Sequence, residues 1–331
     1  MSVENLGSWG AIIKGTGAPF LEFFSQNDLS EVSGWDPIIR TIRSGDQTVN
    51  FSGKTGSGLL TRFSDGSAIP SANRYKLYDT AAVLEPYGAR LEVTRQTLLF
   101  RSNAGTFSES NDLMKSYKAT LSRAGAQIFN RAFTDGSGVT AGVRVVQYGD
   151  AAPTCSASHP RADGGTAQSN SSSTGIPLTE SNMNTGMIAL QLQLQDDGVP
   201  MAASGMGQVW LVTGINLDKT ASIITGSNLR SGTGNNDVNV YGGGKVKVMT
   251  SPWLDSGISA SSVGSNSQWF LVAQNWVKLA IVVSNEAPKL DFLTDKDTKS
   301  GIFDIYTDLG VCSYDWRGIY GSLGDNATYS G

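Results

Sequence analysis

The amino-acid sequence predicts an α+β fold in which one long helix lies across a β-sheet. Apolar residues between Ser108 and Phe133 fall on one helical face, and most flanking segments have the alternating pattern of strands. At 1.5 Å per residue, this helix would be roughly 34 Å long. A single long helix among strands favours a spine across a sheet over a helical bundle. The predicted apolar face comprises Leu113, Tyr117, Leu121, Ala124, Ile128 and Ala132.

The ends of this spine helix have recognisable signals. Ser108 and the run Ser110–Asp112 are candidate N-cap residues, because their side-chain oxygens can accept from the free N–H groups of the first turn. Thr134-Asp135-Gly136 is a candidate stop.

Composition favours a protein with large interfaces. The chain has 331 residues, enough for two domains or one elaborated domain. Charged residues make up 16% of the chain, below the roughly 25% of an average soluble protein, and there are 39 glycines. The centres of large permanent interfaces are depleted in charge, so low charge fits a subunit with many contacts.

The sequence disfavours several other classes. It has no run of 18 apolar residues, so we expect no membrane span, and its net charge of −4 is not a nucleic-acid-binding signature. The first ten residues lack the basic and apolar regions of a secretory signal, which favours synthesis in the cytosol. Cys155 and Cys312 make no disulfide framework. A single histidine, His159, leaves few acid–base arrangements for an enzyme.

The N-terminal 42 residues carry bulky apolar groups without a clear period. Two interpretations stay open: an irregular segment packed on its own domain, or an arm that docks on a neighbouring subunit. The bulky residues are Trp9, Phe20, Leu21, Phe23, Phe24, Trp35 and Ile38.

Residues 48–78 predict an extended hairpin. Val49 and Phe51 alternate with polar residues, and alternation resumes near Leu60–Phe63 and Tyr75–Tyr78. Turns are predicted at 53–58 and at Asp65-Gly66. Since an isolated two-stranded hairpin is marginal in water, this one must lie on another surface.

In the rest of the chain, the sequence predicts strands that alternate with helices. Residues 89–93 form a strand, 94–99 a short helix, and the polar run 137–175 a loop with short strands. A second helix begins after Thr179, exposes one apolar stripe and stops at Asp196-Asp197-Gly198. Its stripe is Met183, Met187, Leu190 and Leu194.

A compact α/β unit follows. We predict strands at 208–214 and 245–255, two further strands within 269–284 (WFLVAQ and LAIVVS), and a short helix at 216–224. Two last strands around Gly310, within 303–321, are predicted to return to the first domain.

Several segments, in this order, resemble one family. They are TRQTLL before the spine helix, AFTDG at its end, DDGVPM, QVWLVTGINLDKTASIIT, VKVMTSPWLD, QWFLVAQ and the closing YTDLGVCSYDWRGIYG. Together they resemble the major capsid protein of tailed double-stranded DNA bacteriophages. Encapsulins and the floor domain of herpesvirus capsid proteins share that fold.

The resemblance implies five parts. They are an N-terminal arm (1–42), an extended hairpin loop (43–82), a peripheral domain with the spine helix (83–136), an axial domain (137–288) and C-terminal strands (289–331) returning to the peripheral domain. It also implies a non-enzymatic structural protein without cofactors, forming hexamers and pentamers of an icosahedral shell around packaged double-stranded DNA. Such a protein would assemble in the host cytoplasm and reside in the virion. Its partners would be portal and scaffolding proteins, with decoration proteins as further candidates and no membrane.

The resemblance assigns two sets of candidate residues. Candidate intersubunit contacts are Trp9, Phe20, Phe23, Phe24, Lys54, Leu60, Arg62 and Phe63. Lys115, Lys118, Arg123 and Arg131 are either an ordinary solvated face or cations that face packaged DNA. Some relatives join a lysine placed like Lys54 to a neighbour's asparagine, but no residue here matches the required acid or asparagine. Non-covalent assembly is therefore favoured.

Other clusters have plainer interpretations. Cys155, His159 and Asp163 lack a fourth zinc ligand and favour a polar loop. Residues 242–245 lack the full phosphate-loop pattern and favour a turn. Asp295, Asp297 and Asp304 lack the EF-hand order and favour an acidic loop. Two alternative functions stay open: an encapsulin-like compartment shell, and an unrelated enzyme or sugar-binding module, the latter because of seven tryptophans.

Overall fold

The computed structural model describes residues 34–56, 58–71, 74–94, 103–134, 136–140, 142–226, 238–257, 264–285, 288–298 and 300–324. The strands are β1 (Ile39–Ser44), β2 (Thr48–Phe51), β3 (Thr80–Val83), β4 (Glu85–Val93), β5 (Gly138–Thr140), β6 (Val143–Val146), β7 (Val209–Thr213), β8 (Val246–Thr250), β9 (Trp269–Ala273), β10 (Lys278–Ser284), β11 (Lys289–Thr294), β12 (Gly301–Asp315) and β13 (Ile319–Ser322). The helices are α1 (Asn103–Asn130), α2 (Glu180–Gln191) and α3 (Ile215–Gly226), with 3₁₀ turns at Met201–Ser204 and Pro252–Leu254.

Helix α1 is the predicted spine, and it is longer than predicted. Its 28 residues span about 42 Å. All six residues of the predicted apolar face are buried, so the periodicity is confirmed. The predicted start at Ser108 is wrong, because the helix already begins at Asn103. Serine is tolerated inside helices, and no proline between these positions prevents an earlier start.

Strand β12 organises the larger, seven-stranded sheet. Its first part pairs with β4 and β11, and its second part with β10 and β6. Strands β1 and β5 complete the sheet, in the order β1-β10-β12-β6-β5. The prediction of two strands around Gly310 is wrong, since Gly310 lies inside β12. Glycine is required there because a Cβ would lie 2.8 Å from the backbone oxygen of Val83.

The two faces of the seven-stranded sheet are covered differently. Helix α1 packs on one face, where its apolar residues form a core with β1, β6, β10 and β12. The two-stranded ribbon β2–β3 covers part of the other face. Phe51 of this ribbon stacks on Tyr314 of β12, with ring centroids 4.4 Å apart.

The smaller sheet has four strands in the order β13-β9-β7-β8. Helices α2 and α3 pack against it around Met183, Leu190 and Leu271. The predicted N-cap of α2 is confirmed, because the side chain of Thr179 accepts from the backbone N–H of Asn182 at 3.2 Å. Helix α2 ends at Gln191, earlier than predicted, and Asp196-Asp197-Gly198 instead lie in the next turn, where Gly198 has φ of 80°.

Five strands pair across the predicted part boundaries. The arm was predicted to reach residue 42, but Trp35 and Ile38 are buried and β1 belongs to the seven-stranded sheet. Strands β5, β6 and β10, predicted in the axial part, lie in the same sheet, whereas β13 pairs with β9 in the smaller one. The cause is long-range pairing: a strand's own sequence specifies its faces and not its partner.

The extended hairpin is less regular than predicted. Strands β2 and β3 pair, but the predicted strands at Leu60–Phe63 and Tyr75–Tyr78 are absent from the described residues. The side chains at Leu60–Phe63 are exposed, and pairing around Tyr75–Tyr78 is limited to a bridge between Lys54 and Lys76, so no regular strand results. The turn at Asp65-Gly66 is confirmed: the N–H of Ser67 donates to Ser64 O at 3.0 Å, and Gly66 has φ of 77°. Across the described residues, no helix is long and apolar enough to span a membrane.

Candidate functional site

The segment between β2 and β3, residues 52–79, is the candidate assembly element, and we call it the extended loop. Its root is a narrow two-stranded ladder. The N–H of Thr55 donates to Tyr75 O at 2.8 Å, and the N–H of Leu77 donates to Gly53 O at 3.0 Å. The hydroxyl of Thr55, a buried residue, also accepts from the N–H of Tyr75 at 2.9 Å. The outgoing and returning segments of the loop are therefore hydrogen-bonded to each other where they leave the body.

Beyond this root the loop is solvent-exposed. Every described residue from 58 to 71 is exposed, including large apolar side chains. The exposed fractions are 78% for Leu59, 102% for Leu60, 50% for Phe63 and 77% for Ile69. Contiguous exposed apolar groups of this kind mark interaction surfaces. The loop thus offers an apolar surface that its own subunit does not cover.

The candidate contact residues of the loop lie where the sequence predicted, on its exposed part. Leu60, Arg62 and Phe63 belong to its outer segment, and Lys54 is exposed at the root, bridged to Lys76. Trp9, Phe20, Phe23 and Phe24 lie outside the described residues. Leu59 and Ile69 were missed by the sequence analysis, although their size and polar surroundings were available signals.

The loop rests on the body through the turn after α2. The N–H of Gly58 donates to the Asp197 carboxylate at 3.3 Å, and Asp197 also accepts from the N–H of Val199 at 3.1 Å. Between the root and the body lies a cavity of about 250 Å³. Its wall includes Lys54 and Thr55 from the loop and Lys278 and Arg317 from the body.

Four charged residues line that cavity, and we call Asp196, Lys278, Asp315 and Arg317 the Arg317 cluster. The two carboxylates and Arg317 are buried, whereas Lys278 is partly exposed. The Arg317 guanidinium contacts Asp315 at 3.0 Å and Asp196 at 2.8 Å, and its Nε donates to Leu194 O at 3.0 Å. Lys278 contacts the second oxygen of Asp315 at 2.9 Å. The cluster therefore ties the β12–β13 corner to β10 and to the segment that follows α2.

Electrostatics keep Asp315 and Arg317 ionised. Burial alone would raise the pKa of Asp315, but the charges of Arg317 and Lys278 hold it below its usual value. Burial would lower the pKa of Arg317, and the two carboxylates raise it. Desolvation, then the nearby Asp315, raises the pKa of Tyr148, so this residue stays neutral.

The four cations assigned to the spine helix differ in environment. Lys115 and Lys118 are exposed, and Lys115 contacts Asp112 at 2.9 Å. Arg123 is half-buried and lines a cavity of about 180 Å³ beside Tyr117.

Arg131 follows α1 and acts within the chain. Its Nε donates to Gly136 O and its Nη1 to the Thr140 hydroxyl, both at 3.1 Å. The structure therefore leaves the two lysines as the more accessible pair.

The other sequence clusters do not form metal or phosphate sites in the described part of the chain. No group of three ligating side chains is present there. Cys155 and His159 are buried, and the imidazole contacts Asp150 rather than a second cysteine. Asp304 pairs with Arg90 at 2.7 Å, while Asp295 accepts from the N–H of Thr298 at 3.1 Å within a turn.

Residues 242–245 form a turn before β8, as the sequence predicted.

The Arg317 cluster was not predicted. Asp315, Trp316 and Arg317 are adjacent in the sequence, which is a visible signal, but Asp196 is far away in the chain. Only the antiparallel β13–β9 pairing and the end of α2 bring them together. Long-range contacts of this kind cannot be read from a local pattern.

The fold was compared with solved structures. A chain from a structure of Mycobacterium phage Patience matches with a TM-score of 0.52 at 11% identity, covering 97% of this chain and 89% of that one. A capsid chain of the cyanophage P-SCSP1u matches with a TM-score of 0.49 at 9% identity, covering 86% and 85%. At such identities the first match establishes the fold alone. That fold is the one used by tailed-phage capsid subunits.

The family follows from the sequence match. A family model described as phage capsid protein matches residues 77–322, most of the chain. The chain therefore belongs to the phage capsid protein family and is a structural major capsid protein, located in the capsid of the virion. The encapsulin alternative is not favoured. No curated protein matches the chain.

Proposed function

We propose that this protein forms hexamers and pentamers of an icosahedral shell around packaged double-stranded DNA, and that the extended loop reaches over a neighbouring subunit. The observation that carries the proposal is the loop's uncovered apolar surface at Leu59, Leu60, Phe63 and Ile69. Full burial of such a side chain is worth roughly 1.5–3 kcal/mol, a gain that a neighbouring subunit can supply. Low overall charge supports the same conclusion.

The five-part division remains our proposal with three changes. The arm is limited to residues before Trp35, strands β5, β6 and β10 join the peripheral domain, and β13 joins the axial domain. In this division, Trp9, Phe20, Phe23 and Phe24 of the arm contact neighbours, as do Lys54 and Arg62 of the loop. The chain acts without catalysis, and assembly takes place in the host cytoplasm with portal and scaffolding proteins, and with decoration proteins as further candidates.

The DNA contact is proposed as non-specific and weak. Lys115 and Lys118 supply exposed positive charge on the spine helix, whereas Arg123 and Arg131 are engaged closer to the body. A few cations of this kind offset phosphate repulsion without reading sequence.

The experiment changes the apolar surface of the loop and leaves its root intact. In the test variant, Leu59, Leu60, Phe63 and Ile69 all become serine. In the control variant, the equally exposed Thr61, Ser67 and Ser71 become glutamine. Both are compared with the wild type by urea unfolding of isolated subunits and by electron microscopy with sedimentation velocity under assembly conditions.

We expect all three proteins to unfold at the same urea concentration, because none of the changed side chains is buried in the subunit. Shells should form from the wild type and the control and not from the test variant. Normal shells from the test variant would show that the loop's apolar surface is not an intersubunit contact.

A further inference from the structure

The chain's single histidine is fully buried in a polar pocket of its own. The side chains of His159 and Asp150 both have 0% exposure, and Nδ1 of the ring lies 2.7 Å from Oδ2 of Asp150. The other ring nitrogen, Nε2, lies 3.1 Å from Oδ1 of Asn170. Both nitrogens therefore face oxygen atoms.

The surroundings of Asn170 show that its oxygen, and not its nitrogen, faces the ring. Its Nδ2 donates to two backbone carbonyls, Thr154 O at 2.7 Å and Trp316 O at 3.2 Å. Its Oδ1 accepts from the backbone N–H of Ser156 at 2.8 Å. Reversing the amide would set an NH₂ group against that N–H and an oxygen against two carbonyls. Nε2 must therefore carry a hydrogen to meet Oδ1.

The proton on the other ring nitrogen, Nδ1, is assigned from the charges around the ring. The ring stacks on Trp316 with centroids 4.2 Å apart and planes 5° from parallel, and an indole face favours a cation. Arg317 also lies over Trp316, at 4.7 Å, but its charge is matched by Asp315 and Asp196.

Lys278 of β10 contacts Asp315 as well. The carboxylate of Asp150, which also accepts from the N–H of Ala152 at 3.2 Å, is left with the imidazole as its counter-charge. In the 150–170 segment, Arg161 pairs with Asp163, so Asp150 is the carboxylate that contacts the imidazole.

We propose that His159 is held as a doubly protonated imidazolium in the folded subunit, and that its charged pair with Asp150, which we call the lock, stabilises the region beneath the extended loop while the proton is bound. His159 joins the 150–159 segment, Asn170 and the β12–β13 corner at Trp316, the same corner that positions the Arg317 cluster under the loop root. Removing the proton would leave the Asp150 carboxylate buried without a cation, an unfavourable state.

The direction of the pH effect follows from linkage. A histidine in an unfolded chain titrates near pH 6.5 and is mostly neutral above it. If the folded subunit keeps the proton, unfolding releases one proton in that range, so stability falls as the pH rises. The unfolding equilibrium constant then increases by up to about tenfold per pH unit.

Nuclear magnetic resonance of the ¹⁵N-labelled full-length protein tests the protonation state directly, because the sequence has one histidine and hence one pair of ring signals. At about pH 7.5, above the titration range of an ordinary histidine, we expect both ring nitrogens to be of the protonated type. One protonated and one unprotonated nitrogen would mean a neutral ring beside a protonated Asp150, and would overturn the proposal.

A double variant, Asp150→Asn with His159→Gln, tests the lock. It removes both charges while keeping amide groups that can hydrogen-bond, so between about pH 6.5 and 8 its stability should vary much less with pH than that of the wild type. Above that range the buried thiols and Tyr117 make unfolding favour ionisation in both proteins, so the comparison is confined to this window. Equal pH slopes from urea unfolding of the two proteins would overturn the lock. If the double variant does not fold, the single variant Asp150→Asn serves, with the same expectation of a flatter slope.

The effect on assembly, unlike the protonation state, rests on the proposed function. As the pH is raised from about 6.5 to 8, wild-type shells should loosen, as seen by sedimentation, and shells of the double variant should not. Shells that respond identically would overturn the link to the loop. A failure of the wild type to form shells at any pH would instead refute the proposed function and leave the resonance result standing.

Discussion

Replacing Gly125 of the spine helix by alanine tests how Trp35 is attached to the body. Trp35 lies over this glycine, is 1% exposed, and donates from Nε1 to Ser122 O at 2.8 Å. Its ring also stacks on Phe129 with centroids 5.4 Å apart. A Cβ at position 125 would lie 2.7 Å from Nε1 and 2.9 Å from Cγ of Trp35, so the indole must move.

Two opposing effects set the size of the change. Overpacking a core costs about 1–3 kcal/mol, and a strained or lost hydrogen bond adds roughly 0.5–1.5 kcal/mol. Alanine is favoured over glycine in a helix by about 0.8–1.0 kcal/mol, which offsets part of that. We expect Gly125→Ala to lower the free energy of unfolding by about 1–3 kcal/mol, measured by urea denaturation of isolated subunits.

The same substitution should reverse its sign when the tryptophan is absent. Trp35→Ala alone should cost about 3–5 kcal/mol. In that background Gly125→Ala meets no indole, so the helix preference remains and the double variant should be more stable than Trp35→Ala by up to about 1 kcal/mol. Gly226→Ala, at the last residue of α3 with open space around it, is the control and should not destabilise. Equal destabilisation by Gly125→Ala in both backgrounds would refute the packing argument.

Two further predictions concern charge and ionisation. Arg317→Met leaves Asp196 and Asp315 buried without their guanidinium and should cost about 3–5 kcal/mol in urea unfolding. Arg90→Met, at the exposed pair with Asp304, should cost far less, and similar costs would contradict the difference in burial. Burial raises the pKa of Tyr117 to about 12, so unfolding favours ionisation above about pH 10 and stability falls as the pH rises through that range. Tyr117→Phe should flatten this alkaline loss, measured by urea unfolding at each pH, and an unchanged slope would contradict it.

The elements that the sequence predicted well are those whose signals are local. The spine helix repeats apolar residues at helical spacing over six positions, and all six are buried. Helix α2 was found with its cap at Thr179, and β7, β8 and β9 were found from short apolar or alternating runs. The spacing of apolar residues and the capping of a helix end depend on residues close in sequence. A single segment therefore contains the information needed to predict such an element.

The misses share a cause, which is that pairing partners are distant in the chain. Nothing in Ile39–Ser44 specifies a parallel partner in β10, and nothing near β13 specifies β9. In the extended loop, by contrast, the sequence analysis predicted a strand that does not form. The alternation at Leu60–Phe63 predicted a strand, but the subunit offers no surface for those side chains to cover. An alternating pattern therefore does not by itself establish a strand when no partner surface lies beside it.

The loop and the body therefore respond to mutation in different ways. In the body, α1 packs on one face of the larger sheet and the β2–β3 ribbon on the other, so a change at Leu121 or Phe51 alters the folding energy itself. In the loop, the described side chains from 58 to 71 are exposed, so changes there leave that energy nearly untouched. The Arg317 cluster lies between the two, buried in the body yet lining the cavity beneath the loop root. Substitutions at the cluster are thus expected to reduce folding stability and loop placement together, while substitutions at the tip separate assembly from folding.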